Sequence, residues 1–192
     1  MFGKLIKRLI NYLEFIWIFI LGKMFGISYV VKYLRNPNPS VTAKILRAFG
    51  ARVGCRTTFK RSLFIDNAYE DENSAGDFSF LEVGNNCYIG DVVYFDLSNK
   101  IVIEDNSVIS GRVSFVTHAD CNRSPFLNER FPRISDSIIV RKGAWIGFGA
   151  TIMSGVSIGD NSVVAACSLV RQTIGDKTVA WGIPAETIRK IM

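Results

Sequence analysis

Histidine is almost absent from this chain: His118 is the only one among its 192 residues. The cysteines are few, and the four of them form no CxxC pair: Cys55, Cys87, Cys121 and Cys167. A zinc site of the usual kind takes three or four histidine, cysteine or carboxylate ligands, so we expect no metal centre. Such wide spacing is typical of free thiols in a reducing compartment.

A long apolar run is also missing. Residues 15–22 (FIWIFILG) contain no polar side chain, but they fall far short of the roughly 20 residues that a membrane-spanning helix needs. No small-residue cleavage site follows this run, so a secretory signal is not indicated. We predict a cytoplasmic protein, with a peripheral position at the inner face of the cytoplasmic membrane as an open alternative.

The chain has no dense basic run, helix-turn-helix signature or RNP-like aromatic motif, so we expect no nucleic-acid partner. Its net charge of +6 is scattered and should attract anions such as nucleotide phosphates or anionic lipid. Apolar residues are abundant, at 48% with 14 phenylalanines, which excludes a disordered chain. At this length we expect one main domain with a short N-terminal appendage.

The N-terminal appendage, residues 1–39, reads as a helical segment. Over residues 4–14, Lys4, Lys7 and Arg8 share one helical face and leucines and isoleucines share the other. One interpretation is an interfacial membrane anchor with Phe15, Trp17 and Phe19 at the headgroup boundary. The other is a helix packed on its own domain or on a neighbouring subunit. Both stay open, and the prolines of NPNPS at residues 36–40 predict a break after the helix.

A six-residue repeat dominates the rest of the chain. Every sixth residue of its C-terminal part is aliphatic: Val140, Ile146, Ile152, Ile158, Val164 and Val170. Chance would give this on the order of once in a few thousand trials. The same period occurs earlier, in two further sets: Val83, Ile89 and Phe95, then Ile103, Ile109 and Phe115. A period of six fits neither an α-helix nor a flat strand, but it fits a β-helix with three short faces and inward aliphatics.

Residues 119–139 lack the repeat and contain several prolines and charged residues. We expect an extruded loop there, within a β-helix domain that spans residues 40–192. Long loops inside regular scaffolds tend to carry function. His118 stands at the point where this loop begins.

The segment WIGFGATIMSGVSIGDNSVVAACSLV (145–170), followed by AWGIPAETIRKI (180–191) and preceded by a lone histidine, resembles the hexapeptide-repeat acyltransferases. It is most similar to galactoside and maltose O-acetyltransferases and to bacterial polysaccharide O-acetyltransferases. The resemblance covers roughly residues 45–192. It implies an all-β left-handed parallel β-helix, acetyl-CoA as co-substrate and a homotrimer. We also expect a short C-terminal helix.

The resemblance assigns roles to individual residues. His118 matches the general base, which suits an imidazole because its usual pKa is near 6.5. The backbone N–H of Phe148 matches the donor to the developing oxyanion. Trp145, Asp96 and Asp120 are candidates for the acceptor or pantetheine pocket, and either aspartate is also a candidate for orienting His118.

For CoA, the matching positions are Ala166 in the pantetheine groove and Arg171, Arg189 and Lys190 at the phosphates. Two positions depart from the family pattern: Arg171-Gln172 replaces its common Thr-Lys pair, and Glu186 stands where a basic residue is common.

We therefore expect an acetyl-CoA-dependent O-acetyltransferase that acts on a saccharide hydroxyl, in cell-surface polysaccharide biosynthesis. If the N-terminal segment binds membrane, the acceptor is expected to be lipid-linked. The alternatives are N-acetylation of an amino sugar and a non-enzymatic β-helix scaffold or assembly protein. A three-histidine metal site of the γ-carbonic anhydrase type is excluded by the single histidine.

Overall fold

A computed structural model describes residues 2–191. Three helices open the chain: α1 (Phe2–Phe25), α2 (Ile27–Leu34) and α3 (Pro39–Ala48). Gly26, with a φ of +82°, separates α1 from α2, a backbone conformation that glycine adopts readily. Asn38 caps the N-terminus of α3, because its side chain accepts a hydrogen bond from the backbone N–H of Ser40.

The chain then winds into parallel coils whose short strands stack into three sheets. The first sheet has five strands: β1 (Arg52–Val53), β4 (Leu81–Val83), β7 (Ile101–Ile103), β12 (Ile138–Val140) and β15 (Ser157–Ile158). The second has seven: β2 (Thr58–Phe59), β5 (Tyr88–Ile89), β8 (Val108–Ile109), β13 (Trp145–Ile146), β16 (Val163–Val164), β18 (Thr178–Gly182) and β19 (Ala185–Lys190). The third has five: β3 (Leu63–Asp66), β6 (Val93–Asp96), β9 (Ser114–Val116), β14 (Thr151–Met153) and β17 (Leu169–Val170).

The six-residue repeat forms the core of these coils, as predicted. All six aliphatics of the C-terminal set are completely buried: Val140, Ile146, Ile152, Ile158, Val164 and Val170. Equivalent positions stack on one another from coil to coil, as Ile103 on Val140 and Val140 on Ile158. Phe95 and Phe115 stack in the same way, with ring centroids 5.5 Å apart. Within each uninterrupted run of the repeat, every sixth side chain therefore faces inward.

Glycine is required where one coil lies directly on the next. A Cβ on Gly147 would come within 2.6 Å of the backbone nitrogen of Ala166 in the following coil. Real Cβ atoms do not approach backbone this closely, so the coils would have to separate. The small residue at this position sets the local spacing between coils.

The predicted C-terminal helix is wrong. Residues 185–190 form β19, which pairs antiparallel with β18 after a turn at Ile183 and Pro184. The local sequence AETIRK tolerates a helix, but β18 offers unpaired backbone groups at the end of its sheet. Pairing with that edge satisfies backbone groups of both strands, and tertiary context therefore decides the conformation.

The expected loop leaves the coil after β9 and contains some regular structure. His118–Ala119 (β10) pairs antiparallel with Ile134–Ser135 (β11), and a short helix, α4 (Pro125–Arg130), lies between them. The coil resumes with β12 at Ile138, so the loop ends two residues before its predicted end. We call residues 119–137 the second insertion. Residues 67–80, between β3 and β4, form the first insertion.

One face of α1 packs on the domain. Ile18 is buried, and the ring of Phe19 lies 5.9 Å from that of Phe49, which follows α3. The ring of Phe15 lies 6.1 Å from that of Phe19, tilted by 30°, on this inner side. The prediction that Phe15 and Phe19 face a headgroup boundary is therefore wrong, while Trp17 is exposed. Of the helices between residues 2 and 191, none combines the length and apolarity needed to cross a bilayer.

Candidate active site

His118 lies where the backbone leaves the coil. Its backbone belongs to the β10–β11 pair, and its side chain is 23% exposed. The Nδ1 atom lies 2.7 Å from Oδ2 of Asp96, a residue with no exposed surface at the end of β6. The imidazole is thus held from the interior by one carboxylate and reaches solvent with the rest of its ring.

Asp96 is surrounded by donors. Its Oδ1 accepts from the side-chain amide of Asn67 at 2.8 Å and from the backbone N–H of Ser98 at 3.2 Å. Its Oδ2 accepts from the backbone N–H groups of Thr117 and His118 at 2.8 and 3.1 Å. Burial raises the pKa of Asp96, but the hydrogen bonds from Asn67, His118 and Ser98 outweigh it and hold that pKa below its ordinary value. Asp96 is therefore a carboxylate at neutral pH.

The charge on Asp96 decides the state of the imidazole. A carboxylate only accepts hydrogen bonds, so Nδ1 of His118 carries the proton that joins the two residues. In the neutral ring the lone pair then lies on Nε2, the nitrogen that can accept a proton from another molecule. The arrangement is a buried carboxylate and a histidine in one fixed tautomer, which is suited to general-base chemistry.

A second cluster joins the two insertions. Arg133 donates to Asp71 at 2.7 Å and to Asp120 at 3.0 Å. Burial raises the pKa of Asp71, yet the hydrogen bonds from the Asn73 backbone and from Arg133 bring it below its ordinary value. Asp120, two residues after His118, is thus held by Arg133. The guanidinium fixes the start of the second insertion against the first.

An apolar cavity of about 530 Å³ lies inside the second insertion. It begins one residue after His118 and is lined mostly by apolar side chains: Ala119, Cys121, Leu127, Phe131, Pro132 and Ile134. Nothing in the sequence pattern indicated it.

Trp145 and Phe148 lie on another part of the coil. Trp145 is half exposed on β13, and its Nε1 donates to Oγ of Ser110 at 3.1 Å. Phe148 occupies the turn before β14, with the guanidinium of Arg112 5.6 Å from its ring centre. Among residues 2–191, no acceptor pairs with the backbone N–H of Phe148. His118 follows β9, whereas Phe148 precedes the adjacent parallel strand β14, so the two lie at opposite ends of the third sheet.

The predicted phosphate ligands lie after β17 and on β19, near the last turns of the coil. Arg171 lines a cavity of about 220 Å³ with Pro184 and Glu186. Arg189 and Lys190 are successive residues of β19, so their side chains point to opposite faces of that strand. Ala166 is exposed in the turn beside Gly147.

The structure also adds residues that the sequence did not single out. Asn67 and Thr117 complete the surroundings of Asp96, and Arg133 joins the insertions. Only Thr117, next to His118, had a positional signal. Asp96 itself lies behind His118 in the interior and does not line a surface pocket. Between residues 2 and 191, no three histidine, cysteine or carboxylate side chains converge to bind a metal.

The repeat matches a known family. Residues 137–172 match the bacterial transferase hexapeptide family, described as six repeats. A galactoside O-acetyltransferase of Lactococcus lactis is 30% identical over 135 residues, which are 58% of this chain and 64% of that protein. The chain therefore spans less than two thirds of this relative.

Two further proteins extend the comparison. An Escherichia coli K12 protein provisionally named as a colanic acid biosynthesis acetyltransferase is 28% identical over 77% of this chain and 74% of its own length. A Vibrio cholerae hexapeptide-repeat acetyltransferase, solved with acetyl-CoA, superposes with a TM-score of 0.71 at 20% identity, covering 86% of this chain and 85% of that one. The resemblance to hexapeptide-repeat acetyltransferases is thereby confirmed, and the structural likeness shows the same fold.

Proposed function

We propose that this chain is an acetyl-CoA-dependent O-acetyltransferase that acts on a saccharide hydroxyl, in the synthesis of a cell-surface polysaccharide. The observation that carries the proposal is the buried Asp96 carboxylate 2.7 Å from Nδ1 of His118. It leaves Nε2 as a base beside an insertion with its own cavity. The names of similar proteins support acetyl transfer to galactosides and a role in polysaccharide synthesis.

The proposed reaction is a direct transfer. Nε2 of His118 takes the proton of the acceptor hydroxyl as its oxygen attacks the thioester carbon of acetyl-CoA. The resulting oxyanion accepts a hydrogen bond from the backbone N–H of Phe148. The C–S bond then breaks, the acetyl ester remains on the saccharide, and the CoA thiolate takes the proton back from the imidazolium. Asp96 holds the ring and stabilises its positive charge, so it is a positioning residue.

The separation of His118 and Phe148 along the third sheet supports an oligomer. Within one chain the base and the oxyanion donor lie at opposite ends of adjacent strands. We therefore include in the proposal a homotrimer of left-handed β-helices in which one subunit supplies His118 and a neighbour supplies Phe148. A sedimentation mass three times 21.4 kDa is expected, and a monomer mass that retains full activity contradicts this arrangement.

Release of CoA thiol tests the activity. Purified protein is given acetyl-CoA and a panel of saccharides, with amino sugars included. We expect thiol release with a hydroxyl acceptor and a loss of at least about 100-fold in kcat for His118→Gln, because positioned general bases contribute about 10²–10⁴-fold. Asn128→Ala, in α4 of the same insertion, serves as the control and should retain activity.

Each other result identifies an alternative. Transfer confined to amines supports an amino-sugar N-acetyltransferase. No thiol release with any acceptor supports a scaffold protein. A His118→Gln protein as active as the wild type removes the proposed base, and an acetylated protein detected by intact mass during turnover contradicts direct transfer.

A further inference from the structure

The outer face of α1 carries a continuous row of exposed apolar side chains. They follow one another at alternating intervals of four and three residues, and we call them the apolar stripe: Ile6, Ile10, Leu13, Trp17, Ile20 and Met24. Their exposed fractions lie between 45% and 68%. Alternation of three and four keeps a row on one side of a helix. Over 24 residues the helix is about 36 Å long, and the stripe runs along most of that length.

The opposite face fixes α1 on the domain. Glu14 accepts hydrogen bonds from the hydroxyl of Tyr33 at 2.7 Å and from the amide of Asn38 at 2.6 Å. The Asn38 amide also donates to Asn11. With Ile18 buried against the domain, rotation of the helix would break this packing and these polar contacts. The stripe is therefore held pointing away from the protein.

Charge distinguishes between possible occupants of the stripe. Four cations belong to α1, namely Lys4, Lys7, Arg8 and Lys23, against a single carboxylate, Glu14. Glu14 is already occupied by Tyr33 and Asn38. Two copies of α1 joined along their stripes would leave Lys4, Lys7 and Arg8 of each copy without a free carboxylate of α1 to pair with. An anionic surface supplies the missing charge.

We propose that α1 docks on an anionic lipid surface, with the apolar stripe at the boundary between headgroups and acyl chains and Lys4, Lys7 and Arg8 near the lipid phosphates. A helix with a strongly apolar face and a basic polar face binds membranes in this in-plane manner. The helix lies on the bilayer and does not cross it. This inference stands apart from the proposed acetyl transfer, because it uses no residue of the candidate active site.

Vesicle flotation tests the proposal with the full-length protein. We compare vesicles of phosphatidylcholine alone with vesicles containing one quarter phosphatidylglycerol. Wild-type protein should float with the anionic vesicles. Leu13→Ser/Trp17→Ser should stay in the soluble fraction, and Lys4→Gln/Lys7→Gln/Arg8→Gln should bind about fivefold more weakly per cation removed at low salt. Phe126→Ser is the matched control, since Phe126 is as exposed as Trp17 (64% and 61%) but lies on α4.

Tryptophan emission gives a second readout. The chain has three tryptophans, so Trp145→Phe/Trp181→Phe leaves Trp17 alone. Its emission should shift to the blue with anionic vesicles and be quenched by brominated acyl chains. Circular dichroism melts should match for all variants, because the changed stripe residues are exposed.

Two results overturn the proposal. One is equal flotation of the wild type and Leu13→Ser/Trp17→Ser. The other is a wild type that does not bind vesicles, together with a double variant that sediments at a lower mass than the wild type. In that case a second copy of the chain covers the stripe. Either can occur with acetyl transfer intact, so failure here is distinguishable from failure of the proposed function.

Discussion

Asp96 accounts for much of the chemistry available to His118. Its two oxygens accept from the side chains of Asn67 and His118 and from the backbone of residues 98, 117 and 118. A carboxylate held from so many directions cannot rotate without losing several hydrogen bonds. Because Nδ1 is bonded to this fixed carboxylate, the imidazole ring is also held in place, and its tautomer is set before any substrate binds.

Replacing Asp96 by asparagine should disable the base while keeping its shape. The amide oxygen can still accept from Nδ1 and from the backbone N–H groups of Thr117 and His118, but it carries no negative charge to stabilise the imidazolium that forms when the base takes a proton. We expect kcat to fall at least about 100-fold with little change in KM for acetyl-CoA. Steady-state thiol-release kinetics measure both. Asp136→Asn, an exposed carboxylate of the same insertion, is the control, and an equal loss in both variants contradicts a specific role for Asp96.

At the scale of elements, the glycines of the coil turns allow a quantitative test of stacking. Gly147→Ala should lower the free energy of unfolding by about 1–3 kcal/mol, the usual cost of overpacking, because its Cβ meets the backbone of the next coil. Gly175→Ala is the matched control, since nothing lies within 4 Å of its Cβ position. Urea unfolding measures both. Similar losses in the two variants would show that coil contact is not the cause.

The two insertions are joined by a single guanidinium. Arg133→Met leaves Asp71 and Asp120 without their cation, and we expect the second insertion to loosen. The expected results are faster proteolysis within residues 120–133 and a higher KM for the acceptor, with a loss of about 2 kcal/mol in unfolding free energy. Arg130→Met removes a contact to the Phe126 carbonyl, a cation–π contact with the Phe126 ring and a 3.9 Å pair with Glu129, all within α4. It should change neither the rate of proteolysis nor the KM for the acceptor. Unchanged proteolysis in Arg133→Met rules out the proposed link.

The sequence is informative about the coils because each buried position is set locally. Val140 and its successors occupy the inward slot at every sixth residue, and that slot requires an aliphatic side chain whatever surrounds the coil. The strand at residues 185–190 is different, because its conformation depends on pairing with the free edge of β18 and not on its own sequence pattern. The local sequence pattern therefore predicts the repeat but not the antiparallel strand β19 that follows it.

The same division applies to the candidate site. His118 is apparent because it is the lone histidine at the end of a regular repeat. Asp96 follows the inward Phe95, and strand alternation places it outside. Its burial depends on Asn67 and Thr117, which are about 20 to 30 residues away in sequence and belong to the neighbouring coils, and no local signal contains that information. The carboxylate could be listed as a candidate from the sequence, but its position behind the imidazole could not be derived.

At the scale of the whole molecule, two aspartates make the free energy of unfolding depend on pH in the acid range. The folded pKa values of Asp96 and Asp71 lie below the unfolded value, near 3.9. The unfolded chain then binds more protons between those values, so stability rises with pH there. The contribution is complete above the unfolded pKa and is lost as pH falls through the folded pKa.

We expect the unfolding free energy to be level near neutral pH and to decline below about pH 4. Urea titrations from pH 7 to pH 3 measure this decline. Asp96→Asn should show a shallower decline than the wild type. Identical slopes would mean that other carboxylates dominate acid unfolding.

The two ends of the coil have a consequence for solubility. A stack of parallel strands leaves unpaired backbone groups at each end, where another copy could add itself and begin a filament. At the first end α3 packs over β1 and β2. At the last end of the second sheet, β19 runs against the direction of the stack and displays the charged Glu186, Arg189 and Lys190. Neither surface continues the parallel register, so neither offers a parallel edge to which another copy could add a coil.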